Sequence, residues 1–237
     1  MKQKLDIEEI KQKMFDKLQP SGWGKVLKSF IFSSDFDKIV SQLAVLAQDG
    51  KRFTPPLKSI FRAFEECPID QLKVVIVGQD PYPHFGVADG ISFSCSNTNE
   101  LQPSLSYIFD EINRTLYNGH PECVDVNLTR WSNQGILMLN IALTTTVGKS
   151  SQHYHIWKPF TAFLFDYLTW NQNGLVYIYL GKEAREWSES VNDNNYKLFA
   201  SHPASAAYLK SKTWNSQEIF HKTSELIQKN YNIKLIW

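Results

Sequence analysis

Residues 73–94 read KVVIVGQDPYPHFGVADGISFS, and this stretch decides how the rest of the chain is read. Val74 to Val77 form a short apolar run rich in β-branched residues, the pattern of a strand buried on both faces. The run stops at Gly78, and a carboxylate follows two residues later at Asp80. Pro81, Pro83, Gly86 and Gly90 keep the following chain irregular, which predicts a shaped loop over 78–90. A buried strand, an abrupt Gly and then polar residues are how an open α/β sheet presents chemistry at the carboxyl ends of its strands. Taken alone, the same residue types also fit an ordinary surface turn.

Working outward, three more apolar runs end in polar residues. They are 135–140, ending at Asn140; 174–180, ending at Gly181-Lys182; and 197–200, ending at Ser201-His202-Pro203. Helical patterns separate them. Periodic apolar residues from Leu5 to Leu18 predict a helix that Pro20 ends, and 23–30 and 36–50 predict two more, with Asp35 capping the latter. Val40, Leu43, Leu46 and Ala47 form the inner face of that third helix. Further helices are expected over 57–67, over 105–116 with Ser104 as N-cap, and over 159–170, 183–192 and 217–229. Alternating strands and helices imply an α/β fold with a central parallel, twisted sheet and helices on both faces. No repeat or linker divides the chain, so 1–237 is read as one domain with an N-terminal helical extension over about 1–20.

Composition bounds the partners. Seven Trp and fifteen Phe among 237 residues exclude a disordered chain. A formal net charge of +1 does not announce a nucleic-acid binder, so DNA affinity would need a local patch, for which Lys182, Arg185, Lys210 and Lys212 are candidates. Three cysteines without a CxxC pair read as buried, reduced thiols. No apolar run is long enough for a membrane span, and the N-terminus lacks the apolar core of a signal peptide. An intracellular location is expected: cytoplasm, or nucleus if the source is eukaryotic or viral.

In a parallel sheet all four strand ends point the same way, so Gln79, Asp80, Asn140, Lys182 and His202 can share one pocket despite their separation in sequence. Singly each is weak. Asn140 alone is more often a satisfied amide, His202 a hydrogen-bonded loop histidine, and Phe93 ordinary core. His153-Tyr154-His155 has the look of a metal pair, but no third ligand is evident nearby, so no metal is assigned.

GQDPY at 78–82, followed by a Gly-rich spacer and SFS at 92–94, resembles the water-activating loop of family-1 uracil-DNA glycosylases. Asn140 and His202-Pro203 match the family's strand-end amide and HP motif, and the resemblance extends over roughly 22–237. It implies that Asp80 positions the water and stabilises a cationic sugar, while His202 holds the anionic charge of the leaving uracil. Asn140 would read the base, Tyr82 would exclude a C5 methyl, Phe93 would stack on the ring, and Gln79 would contribute its backbone N–H. DNA contacts would come from Ser104, Lys182, Ser205 and Ala206, with Tyr208 or Leu209 just downstream.

The departures are specific. Pro83 stands where the family usually has His, as it does in poxvirus members; the Pro-rich loop is short; Lys182 replaces a Ser. In the usual HPSPLS segment a Leu enters the duplex, and Ala206 takes its place here, so a preference for single-stranded or mismatched uracil is expected, stronger than where the Leu is kept.

The implied activity is hydrolysis of the N-glycosidic bond of uracil in DNA after base flipping, leaving an abasic site. The alternatives are a processivity-type DNA-binding accessory with weak activity, or a glycosylase retuned to another modified pyrimidine. Implied partners are uracil-containing DNA, single- or double-stranded, and a proteinaceous uracil-glycosylase inhibitor or a replication protein; no cofactor is implied, and the chain is expected to be a monomer.

Overall fold

The computed structural model describes residues 6–211 and 213–237, so Leu5 and Lys212 lie outside the described residues. Among the described residues six strands follow in chain order: β1 Phe53–Thr54, β2 Val74–Gly78, β3 Ile136–Asn140, β4 Thr145–Thr146, β5 Val176–Leu180 and β6 Tyr196–Ala200. Four of them make one parallel sheet in the order β3-β2-β5-β6. The strands β2, β3 and β5 are apolar almost throughout and buried, as expected where both faces of a parallel sheet are covered. Register places Gly78 opposite Asn140 and Leu180 opposite Ala200, which brings the carboxyl ends level.

Ten α-helices flank the sheet among the described residues: α1 Ile7–Leu18, α2 Trp23–Ile31, α3 Ser34–Gln48, α4 Arg62–Glu66, α5 Pro103–Leu116, α6 Thr129–Ser132, α7 Tyr154–Asn171, α8 Lys182–Arg185, α9 Pro203–Tyr208 and α10 Ile219–Tyr231. Aromatic clusters weld the layers. Trp23, Phe30, Phe61 and Phe64 interlock with Phe160 of α7, and Trp131, Phe220 and Trp237 meet edge to face. The first helix belongs to this body. Asp6 caps it by accepting the Glu9 N–H, and the buried Lys11 ammonium pairs with Asp37 of α3.

Several local expectations are corrected. The cap of α3 is Ser33, whose hydroxyl accepts the Phe36 N–H, rather than Asp35. Phe36, Ile39 and Leu43 are the buried residues of α3, whereas Ala47 is exposed. The helix expected over 57–67 is broken into a 3₁₀ turn and the short α4, and just before it Thr54 pairs in β1 with β4. Gln102 rather than Ser104 caps α5, because Pro103 takes the first helical position, where its missing N–H costs nothing. Pro159 lies inside α7, which begins five residues earlier than its usual role as a helix starter suggests.

All three cysteines are free and buried. Burial pushes the Cys67 thiol up to about 12 and that of Cys123 to about 11. No helix among the described residues is long and apolar enough to cross a membrane.

Candidate active site

Two glycines let the strand ends close on one another. A Cβ at Gly78 would meet Asn140 Oδ1 and Ser92 Oγ, each at 2.6 Å. At Gly181, with φ +101°, a Cβ would meet Gln79 Nε2 at 2.6 Å and His202 Cβ at 3.1 Å. Only glycine permits both approaches. The residues that follow β2, β3 and β6 line a cavity of about 430 Å³, whereas Gly181 and Lys182 after β5 are not among its lining residues, so Lys182 does not share the pocket as expected. Gln79, Asp80, Tyr82, Phe93, Ser104, Asn140, His202 and Tyr208 all line it.

The loop after β2 is shaped by a buried carboxylate that the sequence reading passed over. Asp89 accepts from the Ile91 N–H (3.1 Å), the Ser94 hydroxyl (2.6 Å) and the Ser96 N–H (3.0 Å), and pairs with the Arg62 guanidinium at 3.0 Å. Removing one partner of such a buried pair typically costs about 3–5 kcal/mol, because the other charge is left uncompensated. This network fixes the turn that holds Phe93 at φ +64°, a left-handed conformation that a bulky residue seldom adopts. The Tyr82 hydroxyl donates to the Phe93 carbonyl (3.1 Å), which ties the two aromatics together. The Phe93 ring faces the His202 ring with centroids 5.7 Å apart.

Asp80 accepts the Ser151 N–H at 2.6 Å. Its carboxyl is raised above the ordinary carboxylate value, first by burial and further by the Glu183 carboxylate, while the Ser151 bond opposes the shift. His202 accepts the Ala204 N–H on Nδ1 at 3.1 Å, so in the neutral ring the proton sits on Nε2. Burial lowers this imidazole to about 4, with Glu183 pulling the other way. Asn140 is oriented by the Ser92 hydroxyl, which lies 2.7 Å from its Oδ1. The Gln79 amide is held by Glu183, the residue after Lys182.

The DNA-facing expectations divide. Lys182 is exposed at the first position of α8, and Ser104 is buried in the cavity wall. The Ser205 hydroxyl donates to the His202 carbonyl at 2.7 Å, bracing the segment. Ala206 is corrected: it is 5% exposed and packed in the core, because residues 203–208 coil into a helix against α5 and turn its methyl inward. Tyr208 and Leu209, at 88% and 80% exposed, are the large apolar side chains that this helix presents outward. Arg185 is exposed, with its guanidinium 4.6 Å from the Phe199 ring centroid. His153 is buried with each ring nitrogen beside a threonine hydroxyl, Thr144 at 2.9 Å and Thr146 at 3.1 Å. It is a satisfied core histidine.

Ser92, Ser151, Glu183 and the Ala204 N–H orient the expected residues but were not singled out from the sequence. Ser92 lies inside the opening stretch, and Glu183 follows the strand-end Gly181-Lys182; Ser151 carries no comparable signal.

Residues 64–228 match the family model described as the uracil DNA glycosylase superfamily. A "Uracil-DNA glycosylase" of Acinetobacter baumannii (strain SDF) is 33% identical over 229 residues, 95% of each chain. The crystal structure of mimivirus uracil-DNA glycosylase superposes with a TM-score of 0.82 at 26% identity, covering 94% of this chain and 88% of that one. A mimivirus UNG variant crystallised in complex with UGI gives a TM-score of 0.80 at 28% identity, over 90% and 86% of the two chains. With Asp80, Asn140 and His202 gathered in one cavity and these likenesses along nearly its whole length, the chain belongs to the uracil DNA glycosylase superfamily.

Proposed function

We propose that the protein is a DNA repair glycosylase that hydrolyses the N-glycosidic bond of uracil in DNA, releasing free uracil and leaving an abasic site. The observation that carries the reading is the meeting of Asp80, Asn140 and His202 in one cavity, with the His202 proton directed to Nε2.

The reacting nucleotide must leave the base stack to enter this cavity. Phe93 then offers its ring to the flipped base, and Tyr82 crowds the C5 position, where thymine carries a methyl. Asn140, with its amide set by Ser92, reads the base edge: its amino group donates to O4 and its carbonyl accepts from N3–H. As the bond from C1′ to N1 breaks, its electron pair leaves with the base and the sugar becomes cationic. Asp80, ionised, lies where that cation and the attacking water need a carboxylate; it stabilises the one and accepts a proton from the other. The water oxygen bonds to C1′. His202 Nε2–H donates to uracil O2, where the leaving charge gathers, and a neutral imidazole suffices.

Ser104, Lys182, Ser205, Tyr208 and Leu209 supply the contacts to the strand on either side. A protein inhibitor is a further partner by likeness to the mimivirus complex with UGI. The accessory and retuned-glycosylase readings are not favoured, given an intact Asp80, Asn140 and His202 and relatives named for uracil.

The test is base release from a labelled oligonucleotide carrying uracil, thymine, cytosine or a 5-substituted pyrimidine at one position. Release of uracil alone is expected. No release from any of them supports the accessory reading, and release of a 5-substituted base in preference to uracil supports the retuned one.

A further inference from the structure

Beside Pro83 and His84, which line the cavity, the loop carries an aromatic that the chemistry above does not use. Phe85 is 70% exposed, in a chain whose other large aromatics are mostly buried. The Arg52 guanidinium lies over it, 5.5 Å from the ring centroid. Single exposed apolar residues are common on protein surfaces and by themselves mean little.

Three further observations set this one apart. The two residues are carried by backbone that is stitched to the active site: the Val147 N–H donates to the Arg52 carbonyl (2.9 Å), the Gly148 N–H to the Pro83 carbonyl (2.8 Å), and the Ser151 N–H to Asp80 (2.6 Å). Positive charge is close along these backbone segments: Arg52 with its neighbour Lys51, and Lys149 next to Gly148, are all exposed, and none has an ion-pair partner among the described residues. The aromatic also stands one residue from the cavity wall, which His84 lines, and so within reach of a strand whose nucleotide enters the cavity. An aromatic face flanked by unpaired cations along a groove is the arrangement by which proteins hold single-stranded nucleic acid: bases stack on the ring and phosphates lie against the charges.

We propose that Phe85 and Arg52 form a stacking platform for an unpaired base neighbouring the extruded uridine, with Arg52 also meeting an adjacent phosphate. The inference rests on the proposed glycosylase function and adds a nucleotide-binding subsite to it. In a stable duplex the neighbouring base is paired and stacked on its own strand, so the platform acts on single strands and on mismatched or frayed ends.

The probe is a single-stranded oligonucleotide with 2′-fluoro-2′-deoxyuridine at its centre, which resists cleavage. Binding is read by fluorescence anisotropy at fixed salt. Phe85→Ala is expected to bind about 5- to 100-fold more weakly, and Phe85→Trp to bind as well as the native chain. A second set of probes replaces each neighbouring base, one at a time, with an abasic tetrahydrofuran. At one position the native chain should lose the same affinity, and there Phe85→Ala should lose nothing more. Arg52→Met should flatten the slope of log affinity against log salt by about 0.7 for one lost phosphate contact. Equal binding by Phe85→Ala and the native chain overturns the platform, as does a loss of the same size on every abasic probe, which marks a structural role. An unchanged salt slope in Arg52→Met overturns the phosphate contact. A native chain that releases no uracil from the same oligonucleotide carrying ordinary 2′-deoxyuridine overturns the proposed function itself, and the platform falls with it.

Discussion

The Ser151 N–H donates to the Asp80 carboxylate across 2.6 Å, joining residues that are 71 positions apart. The bond holds the carboxylate in place and favours its charged form, while burial and Glu183 favour the neutral one and raise its pKa. Asp80→Asn keeps an oxygen for Ser151 but no charge for the cationic sugar. Its kcat should fall at least ~100-fold with DNA binding largely intact. Because Asp80 must be ionised to act, native activity should fall as pH drops through its raised pKa, giving an acid limb above the ordinary carboxylate value. Near-native turnover in Asp80→Asn would sink the assignment.

His202→Leu removes the donor to uracil O2 and should cost roughly 100-fold or more in kcat. Since burial lowers the ring to about 4, it is neutral from pH 6 to 8. The rate should therefore hold steady as pH rises over that window. A pH–rate profile that falls there, with the fall abolished by the substitution, contradicts the role.

Base choice should follow the wall residues. Asn140→Asp should admit cytosine, and Tyr82→Ala should admit thymine by opening the C5 side. Ser92→Ala frees the Asn140 amide to rotate, so it should lower uracil release without admitting cytosine as readily as Asn140→Asp does. Release from DNA carrying each base reports all three. Strict uracil-only activity in both wall variants means that the pocket residues are misassigned.

The duplex wedge should come from the end of α9. Ala206→Leu would not restore one, because the added side chain would be forced into packed core at about 1–3 kcal/mol. Tyr208→Ala or Leu209→Ala should slow release from A·U duplexes more than from single strands, where extrusion costs much less. The ratio of kcat/KM on the two substrates is the measurement. A ratio unmoved by either substitution removes both residues from the role.

How far the sequence carries can be judged residue by residue. The run from Val74 to Gly78 and the loop after it were legible because a doubly buried strand leaves no alternation, and Gly and Pro punctuate its end. The strand ends at Asn140, Gly181 and His202 followed from the same logic, and with them the α/β class; Asn140 and His202 reach the cavity, while Gly181-Lys182 does not line it. The coil of residues 203–208 was hidden because six residues after a His-Pro carry too little periodicity, and so Ala206 was expected outside when it lies within. Asp89 escaped because most of its partners are backbone N–H groups and loop serines at irregular spacing, with Arg62 far off in sequence, and Ser151 because it acts through its own backbone N–H on a carboxylate 71 residues away. The pairing of Phe53 and Thr54 with β4 is two residues long and equally silent.

The order β3-β2-β5-β6 puts Asp80 and His202 on strands of unequal standing. Asp80 hangs from a central strand with neighbours on both sides, whereas His202 hangs from an edge strand that is only half-buried and pairs with β5 alone. Edge elements open at lower free energy than the centre of a sheet. In rising denaturant, uracil release should therefore fail before far-UV ellipticity does, as β6 peels away and takes the histidine with it. The catalyst is a weaker cooperative unit than the scaffold that displays it.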